Sequence, residues 1–210
     1  RLPDLVQLAA QPDPPTTELC LELGSSNDVL LARSRTGSVH NQVLLAECQT
    51  AGRGRRGRSW VSPVAHNLYF SMGWTFQGGV AAMAGLSLAV GAAIADALAS
   101  EFGAAVELKW PNDLYLDGAK FGGVLIDVAG DPAGPSTAIV GVGLNIHMPV
   151  AAAGQIDQSW TTLASHVALP VVRTEVADAV LVALHQMLLG YAQLGFAGWR
   201  DRWQARDMLR

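Results

Sequence analysis

Residues 52–58 read Gly-Arg-Gly-Arg-Arg-Gly-Arg, in a chain of 210 residues that is otherwise slightly acidic. Of its 14 lysines and arginines, Arg53, Arg55, Arg56 and Arg58 fall within this one heptapeptide, while the net charge is −4. The positive charge is therefore concentrated rather than spread over a basic face. Glycines let the backbone turn sharply and expose successive N–H groups, and guanidinium forks grip phosphate or carboxylate through paired hydrogen bonds. Such a loop calls for an anionic, phosphorylated ligand. Gly52 and Gly57-Arg58-Ser59 have the spacing of a P-loop, but arginine replaces its lysine. A P-loop must also open a helix, whereas here Pro63 and the strand-like run Asn67–Met72 follow. A flexible Gly-Arg segment of the RNA-binding kind fits no better, because apolar strand-like runs bracket the loop.

A second stretch, Lys109–Gly123, concentrates Lys109, Asn112, Asp113 and Lys120 between apolar runs. Pro111 stops a strand just before Asn112 and Asp113, which places them at a strand end, where sites are commonly built. A carboxylate close to a phosphate-binding loop commonly brings Mg²⁺, so Asp113 is a candidate magnesium ligand. Lys120 precedes Gly122 and Gly123, whose small size lets a ligand approach the backbone. Read alone, Asn112-Asp113 is equally a plain turn after proline and Lys120 a solvated hairpin lysine. In a third stretch, Gly141-Val-Gly143-Leu-Asn145, two glycines and an asparagine at a strand end suit a close ligand, or a bulge.

The elements that must position these residues follow from pattern. Four prolines within residues 1–16 suggest a linker or leading segment. Ser25 or Ser26 suits the N-cap of a helix running through Leu30, Leu31 and Arg33. Strands are expected at Gln42–Cys48 and Asn67–Trp74 on either side of the arginine loop, and at Val106–Trp110. Tyr115–Ala119 reads as a hairpin turn, and Gly122–Val128 should pair with Ala138–Val142. Ala81–Phe102 reads as one buried helix stopped by Gly103. Met148–Ser159 is weakly patterned and is expected to be a mobile loop. Thr174–Leu194 carries an apolar stripe at helical spacing, and a short helix with Trp199 and Trp203 follows. Strands outnumber helices without alternating with them, which predicts an α+β fold around a mixed or largely antiparallel central sheet flanked by helices.

Half of the residues are hydrophobic and 15% are charged, ample for a core and incompatible with bulk disorder. Cys20 and Cys48 match no metal or redox spacing and read as thiols of a reducing cytoplasm. Gly78–Ala95 is uncharged, but it is built from Ala and Gly and is followed by Asp96 and Glu101, which favours a core helix over a membrane span.

Taken together, these motifs resemble the biotin protein ligase family. The family's Gly-Arg-Gly-Arg-x-Gly-Arg-x-Trp loop corresponds to Gly52–Trp60 and its Lys-Trp-Pro-Asn-Asp to Lys109–Asp113. Its Lys-x-x-Gly-[Ile/Val]-Leu hairpin corresponds to Lys120–Leu125, its Gly-x-Gly-x-Asn strand end to Gly141–Asn145, and its Ser-Thr-Asn to Ser25-Ser26-Asn27. The family's strand glutamine is Gln49. The resemblance implies a class II synthetase-like catalytic domain over residues 17–210, with a preceding linker over residues 1–16. It further implies that the family's small C-terminal β-barrel and any N-terminal helix-turn-helix are absent from this chain, so DNA binding would depend on a module outside it.

The implied activity is activation of biotin by ATP, with Mg²⁺, to biotinyl-5′-adenylate, followed by transfer to a lysine of a biotin carboxyl carrier protein. By the resemblance, Ser25, Ser26, Asn27 and Gln49 read the ureido ring, while Arg53, Arg55 and Arg58 hold the carboxylate and phosphates. Trp60 and Asn145 lie toward adenine, and Gly123 lines the biotin pocket. Lys120 bridges the reacting carboxyl and α-phosphate, and Asp113 orients or deprotonates the acceptor amine. Gly52, Gly54, Asn112, Gly122 and Gly143 complete the binding motifs. A cytoplasmic enzyme, with a homodimer as one arrangement and no membrane contact, is expected. The nearest alternative is a lipoate ligase of the same fold, whose ligand lacks the ureido ring. An alternative of another class is a nucleic-acid-binding module using the arginine loop, which the net charge and the lack of a second basic face count against.

Overall fold

The computed structural model describes residues 5–168 and 170–209. Seven strands form one sheet: β1 (Thr16–Cys20), β2 (Gln42–Ala46), β3 (Leu68–Phe76), β4 (Glu107–Lys109), β5 (Asp113–Leu116), β6 (Ala119–Gly130) and β7 (Ser136–Leu144). Their order across the sheet is β1-β2-β3-β7-β6-β5-β4. Only β1 and β2 run parallel; every other neighbouring pair is antiparallel. The expected α+β architecture is therefore observed.

Strand alternation divides the sheet into two faces. Along β7, Ala138, Val140, Val142 and Leu144 belong to the main core, together with Phe70 and Met72 of β3 and Val124 of β6. Helices α3 (Leu86–Phe102) and α5 (Arg173–Leu194) cover that face, burying Val90, Ile94, Leu98, Val180, Leu184 and Leu188. The opposite positions, Leu44 and Ile139, pack against Leu30 of α2 (Ser26–Arg33). Helix α2 covers only part of this second face. Where it ends, Gly141 of β7 lies opposite Leu125 of β6, and Gly143 lies opposite Gly123. The missing side chains leave a trough, and the trough becomes the cleft.

The expected boundaries hold in most places, with informative exceptions. Ser25 is the N-cap of α2, its hydroxyl accepting from the Asp28 amide at 3.4 Å. The Ala81–Phe102 helix is broken: a 3-10 turn occupies Val80–Met83, and α3 begins only after Gly85, whose φ of +80° interrupts the helical path. Gly103 ends α3 in the left-handed conformation. The whole span Val80–Phe102 is long and apolar enough to cross a membrane, but Gly85 breaks it and α3 packs in the core between sheet and α5. Asp117 and Gly118, both at positive φ, make the tight turn between β5 and β6.

Within Met148–Ser159, helix α4 (Val150–Ala153) forms one turn, and the end of the segment is tied down. The Lys120 amide donates to Ser159 O at 3.2 Å, and the Thr161 amide donates to Lys120 O at 2.9 Å. Residues 1–4 of the expected leading segment lie outside the described residues. The rest of it is docked: α1 (Val6–Ala9) buries Leu8, and the Gln7 and Leu8 amides each donate to the Asp178 carboxylate of α5 at 2.9 Å. A buried carboxylate capping a helix N-terminus satisfies donors that the first turn cannot. Helix α6 (Arg200–Gln204) ends the fold, and Leu108 of β4 exchanges backbone hydrogen bonds with Arg206 and Met208, which covers that edge of the sheet.

Candidate active site

The cleft has about 360 Å³ of free volume and opens between the arginine loop, the N-terminus of α2 and the glycine trough. Ser25, Ser26, Asn27, Gln49, Arg53, Gly54, Arg55, Arg58, Trp60, Asn112, Asp113, Lys120, Gly123 and Gly143 all line it. Residues far apart in sequence, from α2 to β7, thus converge on one cavity. Gly52, Gly122 and Asn145 do not line it.

The three absentees have structural work. Gly52 closes the base of the loop, where the Trp60 amide donates to its carbonyl at 2.9 Å and a Cβ would sit 2.8 Å from Trp60 O. Gly122 faces the core, where a Cβ would meet Leu144 at 2.6 Å. Asn145 is buried. Its amide nitrogen donates to Thr161 O at 3.2 Å and its carbonyl accepts from the Leu163 amide at 2.8 Å. It secures the segment after α4 instead of facing the cavity.

One end of the cleft is neutral and polar. The Ser26 amide and hydroxyl approach Gln49 Oε1 at 2.8 and 3.1 Å. The Ser71 hydroxyl lies 2.6 Å from that of Ser26 and donates to Asn27 Oδ1 at 2.5 Å. Asn27 lies flat across β7 because residue 141 is glycine; a Cβ there would overlap Asn27 Oδ1. Ser71 was not anticipated, although a lone hydroxyl inside Leu-Tyr-Phe-Ser-Met-Gly-Trp was a readable signal. Buried polar groups inside an apolar strand need partners, and Ser71 is fully buried.

The other end is cationic. The loop is an ordered hairpin: Arg53 pairs with Ser59, and the Gly54 amide donates to Arg58 O at 2.7 Å. Its tip turns through Arg56 and Gly57, both at positive φ. Arg55 donates to Asn112 Oδ1 at 3.2 Å. Asn112 is itself fixed to β6 by its side-chain amide donating to Val124 O at 2.7 Å and by the Val124 amide donating to Asn112 O at 2.9 Å. Arg56 and Arg58 project into solvent without an ion-pair partner among the described residues. Arg53 departs from expectation, because its guanidinium is held by Asp28 at 2.6 Å and Asp127 at 2.8 Å.

Between the two ends, Lys120 Nζ lies 2.8 Å from Asp113 Oδ1 and 5.7 Å from the Trp60 ring centroid. Trp60 rests on Gly143, where a Cβ would come within 2.7 Å of the indole. Gly123 leaves room of a different kind, since a Cβ there would make ordinary contacts with Asp113, Lys120 and Trp60 at 3.5–3.7 Å but would narrow the cavity. Trp110, 64% exposed, stands at the rim, and Lys109 lies outside over Tyr115. No group of three potential metal-binding side chains occurs among the described residues, and Asp113 is engaged by Lys120. The residues present fit Mg²⁺ only as a companion of polyphosphate, where one carboxylate and the phosphates share the ion.

A cavity that brings neutral hydrogen-bonding side chains, a lysine and a guanidinium-rich loop together suits an anionic ligand that also carries a neutral polar group. The chain is similar to known proteins in sequence and in fold. Over 202 residues, 96% of this chain is 35% identical to the bifunctional ligase/repressor BirA of Escherichia coli. The chain spans 62% of the length of that relative. It is 37% identical over 70% of its length to the biotin–[acetyl-CoA-carboxylase] ligase of Mycobacterium tuberculosis, covering 54% of that protein. The fold superimposes on the Aquifex aeolicus biotin protein ligase in complex with biotin and ATP with a TM-score of 0.74 and 26% identity, covering 92% of this chain and 78% of that one. The sequence profile of the biotin/lipoate A/B protein ligase family matches residues 23–145, more than half of the chain and every strand of the cleft, so this chain belongs to that family.

Proposed function

We propose that the chain is the catalytic domain of a biotin ligase, which activates biotin with ATP and transfers the biotinyl group to a lysine of a biotin carboxyl carrier protein in the cytoplasm. The observation that carries the choice of ligand is the Ser26–Gln49–Ser71–Asn27 network. A ureido ring presents two N–H donors and one carbonyl, and short hydroxyl and amide side chains answer both. The dithiolane of lipoate has neither and would leave unanswered the hydrogen-bonding capacity these groups retain after bonding one another.

In the first step a carboxylate oxygen of biotin attacks the α-phosphorus. The bond to the β-phosphate oxygen breaks, and pyrophosphate leaves with the electron pair. Two anions must meet, so fixed cations lower the cost; Lys120 at the waist of the cleft and Arg55 and Arg58 beside it supply them. Bound with the nucleotide, magnesium would add charge neutralisation, and Asp113 is the carboxylate that would share it. In the second step the neutral amine of the acceptor lysine attacks the acyl carbon, AMP leaves, and the amine loses a proton. Asp113, held by Lys120, is the carboxylate placed to orient that amine. Trp60 and the arginine hairpin wall the site from water, which protects the mixed anhydride. A homodimer is one arrangement compatible with this proposal, and DNA recognition would require an N-terminal module that this chain does not include.

Pyrophosphate exchange with biotin and ATP, each omitted in turn and with lipoate as competitor, tests the reading. Exchange should require both substrates and resist lipoate. Exchange supported by lipoate alone would transfer the assignment to lipoate ligation, and salt-sensitive nucleic-acid binding without exchange would end it.

A further inference from the structure

The first arginine of the loop has a different environment from those that follow. The Arg53 guanidinium touches Asp28, in the first turn of α2, and Asp127, on β6. Two carboxylates around one guanidinium leave a local excess of negative charge, so Arg53 is not a free cation for an anionic ligand. The same Asp127 oxygen accepts the Asn27 side-chain amide at 2.9 Å, and Leu125 O accepts it at 3.3 Å. Asn27 Oδ1 accepts from Ser71.

An amide side chain has two N–H donors and two acceptor lone pairs. In Asn27 both donors and one lone pair are committed. What remains for a ligand is a single acceptor site, which matches a ring N–H and rejects a ring carbonyl. The orientation depends on Asp127, because a carboxylate only accepts. A neutral amide at position 127 could donate and let Asn27 turn its NH₂ toward the ligand. Asp127 is 24% exposed in its side chain and does not itself line the cleft, so any effect on a ligand passes through Asn27, which does.

Resting on the biotin ligase reading, we propose that Asp127 is a positioning residue for ring recognition, acting through Asn27, and that Arg53 locks Asp127 in place instead of neutralising the ligand's carboxylate or phosphates. The four-arginine loop is thereby divided: its first member serves the ring end and the later members serve the anion.

The test measures KM for biotin and for ATP separately, by pyrophosphate exchange, in Asp127→Asn, Asp127→Glu and Arg53→Met, with a thermal melt of each. Asp127→Asn should raise the KM for biotin about tenfold or more, the cost of a misdirected hydrogen bond, while the KM for ATP holds. Asp127→Glu should recover most of the loss, since it restores an acceptor-only group. Arg53→Met should raise the KM for biotin by a smaller factor without raising that for ATP. An unchanged KM for biotin in a folded Asp127→Asn, or a joint rise for both substrates, would overturn the role of Asp127. A rise in the KM for ATP in Arg53→Met would return Arg53 to the anion site. A wild-type protein with no biotin-dependent exchange would instead defeat the functional reading on which the inference rests.

Discussion

At the neutral end of the cleft, Ser26, Asn27, Gln49 and Ser71 are joined in a chain of hydrogen bonds of 2.5–3.1 Å. At the anion end, Arg56 and Arg58 stand exposed and Arg55 makes one hydrogen bond, to Asn112. The difference follows from solvation. Neutral buried groups must find partners within the protein, and doing so fixes their orientation in advance. Guanidinium groups keep their hydration on an exposed hairpin and, on the proposed function, would exchange it for phosphate when the nucleotide binds. Specificity is thus built into the end that is already rigid, and charge neutralisation into the end left open.

The sharpest way to break this contrast is at the waist. Lys120→Ala removes the cation held over Trp60 by Asp113. Adenylate formation should fall on the order of a hundredfold, the usual effect of losing one such electrostatic contact worth ~3 kcal/mol, with the fold intact. Pyrophosphate exchange reads it, and unaltered exchange would remove Lys120 from the chemistry.

A rigid end should tolerate little. Gly141→Ala places a methyl group against Asn27 Oδ1 and forces the amide away from Ser71. Biotin affinity should fall roughly ten- to a hundredfold, as expected for one or two buried hydrogen bonds left unmade. Titration calorimetry with biotin alone would show it. Unchanged affinity would mean that the ring end adapts, contrary to its hydrogen-bonded order.

An open end should tolerate more. Arg55→Gly should leave adenylate formation largely intact, because Arg58 and Lys120 remain, but it should weaken retention of the intermediate. One charge-assisted contact is worth about 1.5–3 kcal/mol, so escape should rise about ten- to a hundredfold. Released biotinyl-adenylate would acylate lysines of a bystander protein. Labelling no greater than with the wild type refutes retention, and loss of exchange places Arg55 in the chemistry.

The smallest effect lies away from the cleft. His185 of α5 is fully buried against Trp74, and among the described residues neither ring nitrogen has a partner in good hydrogen-bond geometry. Burial lowers its pKa below 6.5, and the nearby Asp13 only partly opposes this. A lowered histidine pKa means that the unfolded chain binds the proton more readily. Stability is therefore full above pH 6.5 and declines as the pH falls below it, by at most about 1.4 kcal/mol per pH unit. His185→Leu should flatten that part of the pH profile in urea unfolding while leaving biotin affinity unchanged; an unaltered slope would show that other groups set it.

Local signals in the sequence were strong where one interaction decides the conformation. Ser25 as an N-cap, Gly103 as a helix stop, Asp117-Gly118 as a turn and the stripe along α5 each depend on near neighbours, and each was legible. The motifs were legible only as a set, because the arginine loop read alone also suits an RNA-binding segment and Lys120 a solvated hairpin, whereas their order along the chain carries the family resemblance. Gly85 was misjudged because a glycine within an Ala-rich run gives no sign of the positive φ it adopts. Tertiary structure decided the rest. Gly122 and Gly123 are neighbours in sequence, but the pleat turns the first to the core and the second to the cleft. Asn145 was assigned to the ligand by its motif, yet its backbone and side chain are used by residues 161 and 163. Arg53 and Arg55 are indistinguishable in the loop; only the sheet, by bringing Asp127 from β6 beside Asp28 of α2, gives the first two ion pairs while the second makes one hydrogen bond, to Asn112. The sequence determines which chemical groups the protein owns, because residue type sets charge and hydrogen-bonding capacity. Which of those groups remain available is decided by the fold, since availability depends on partners more than seventy residues away in the chain.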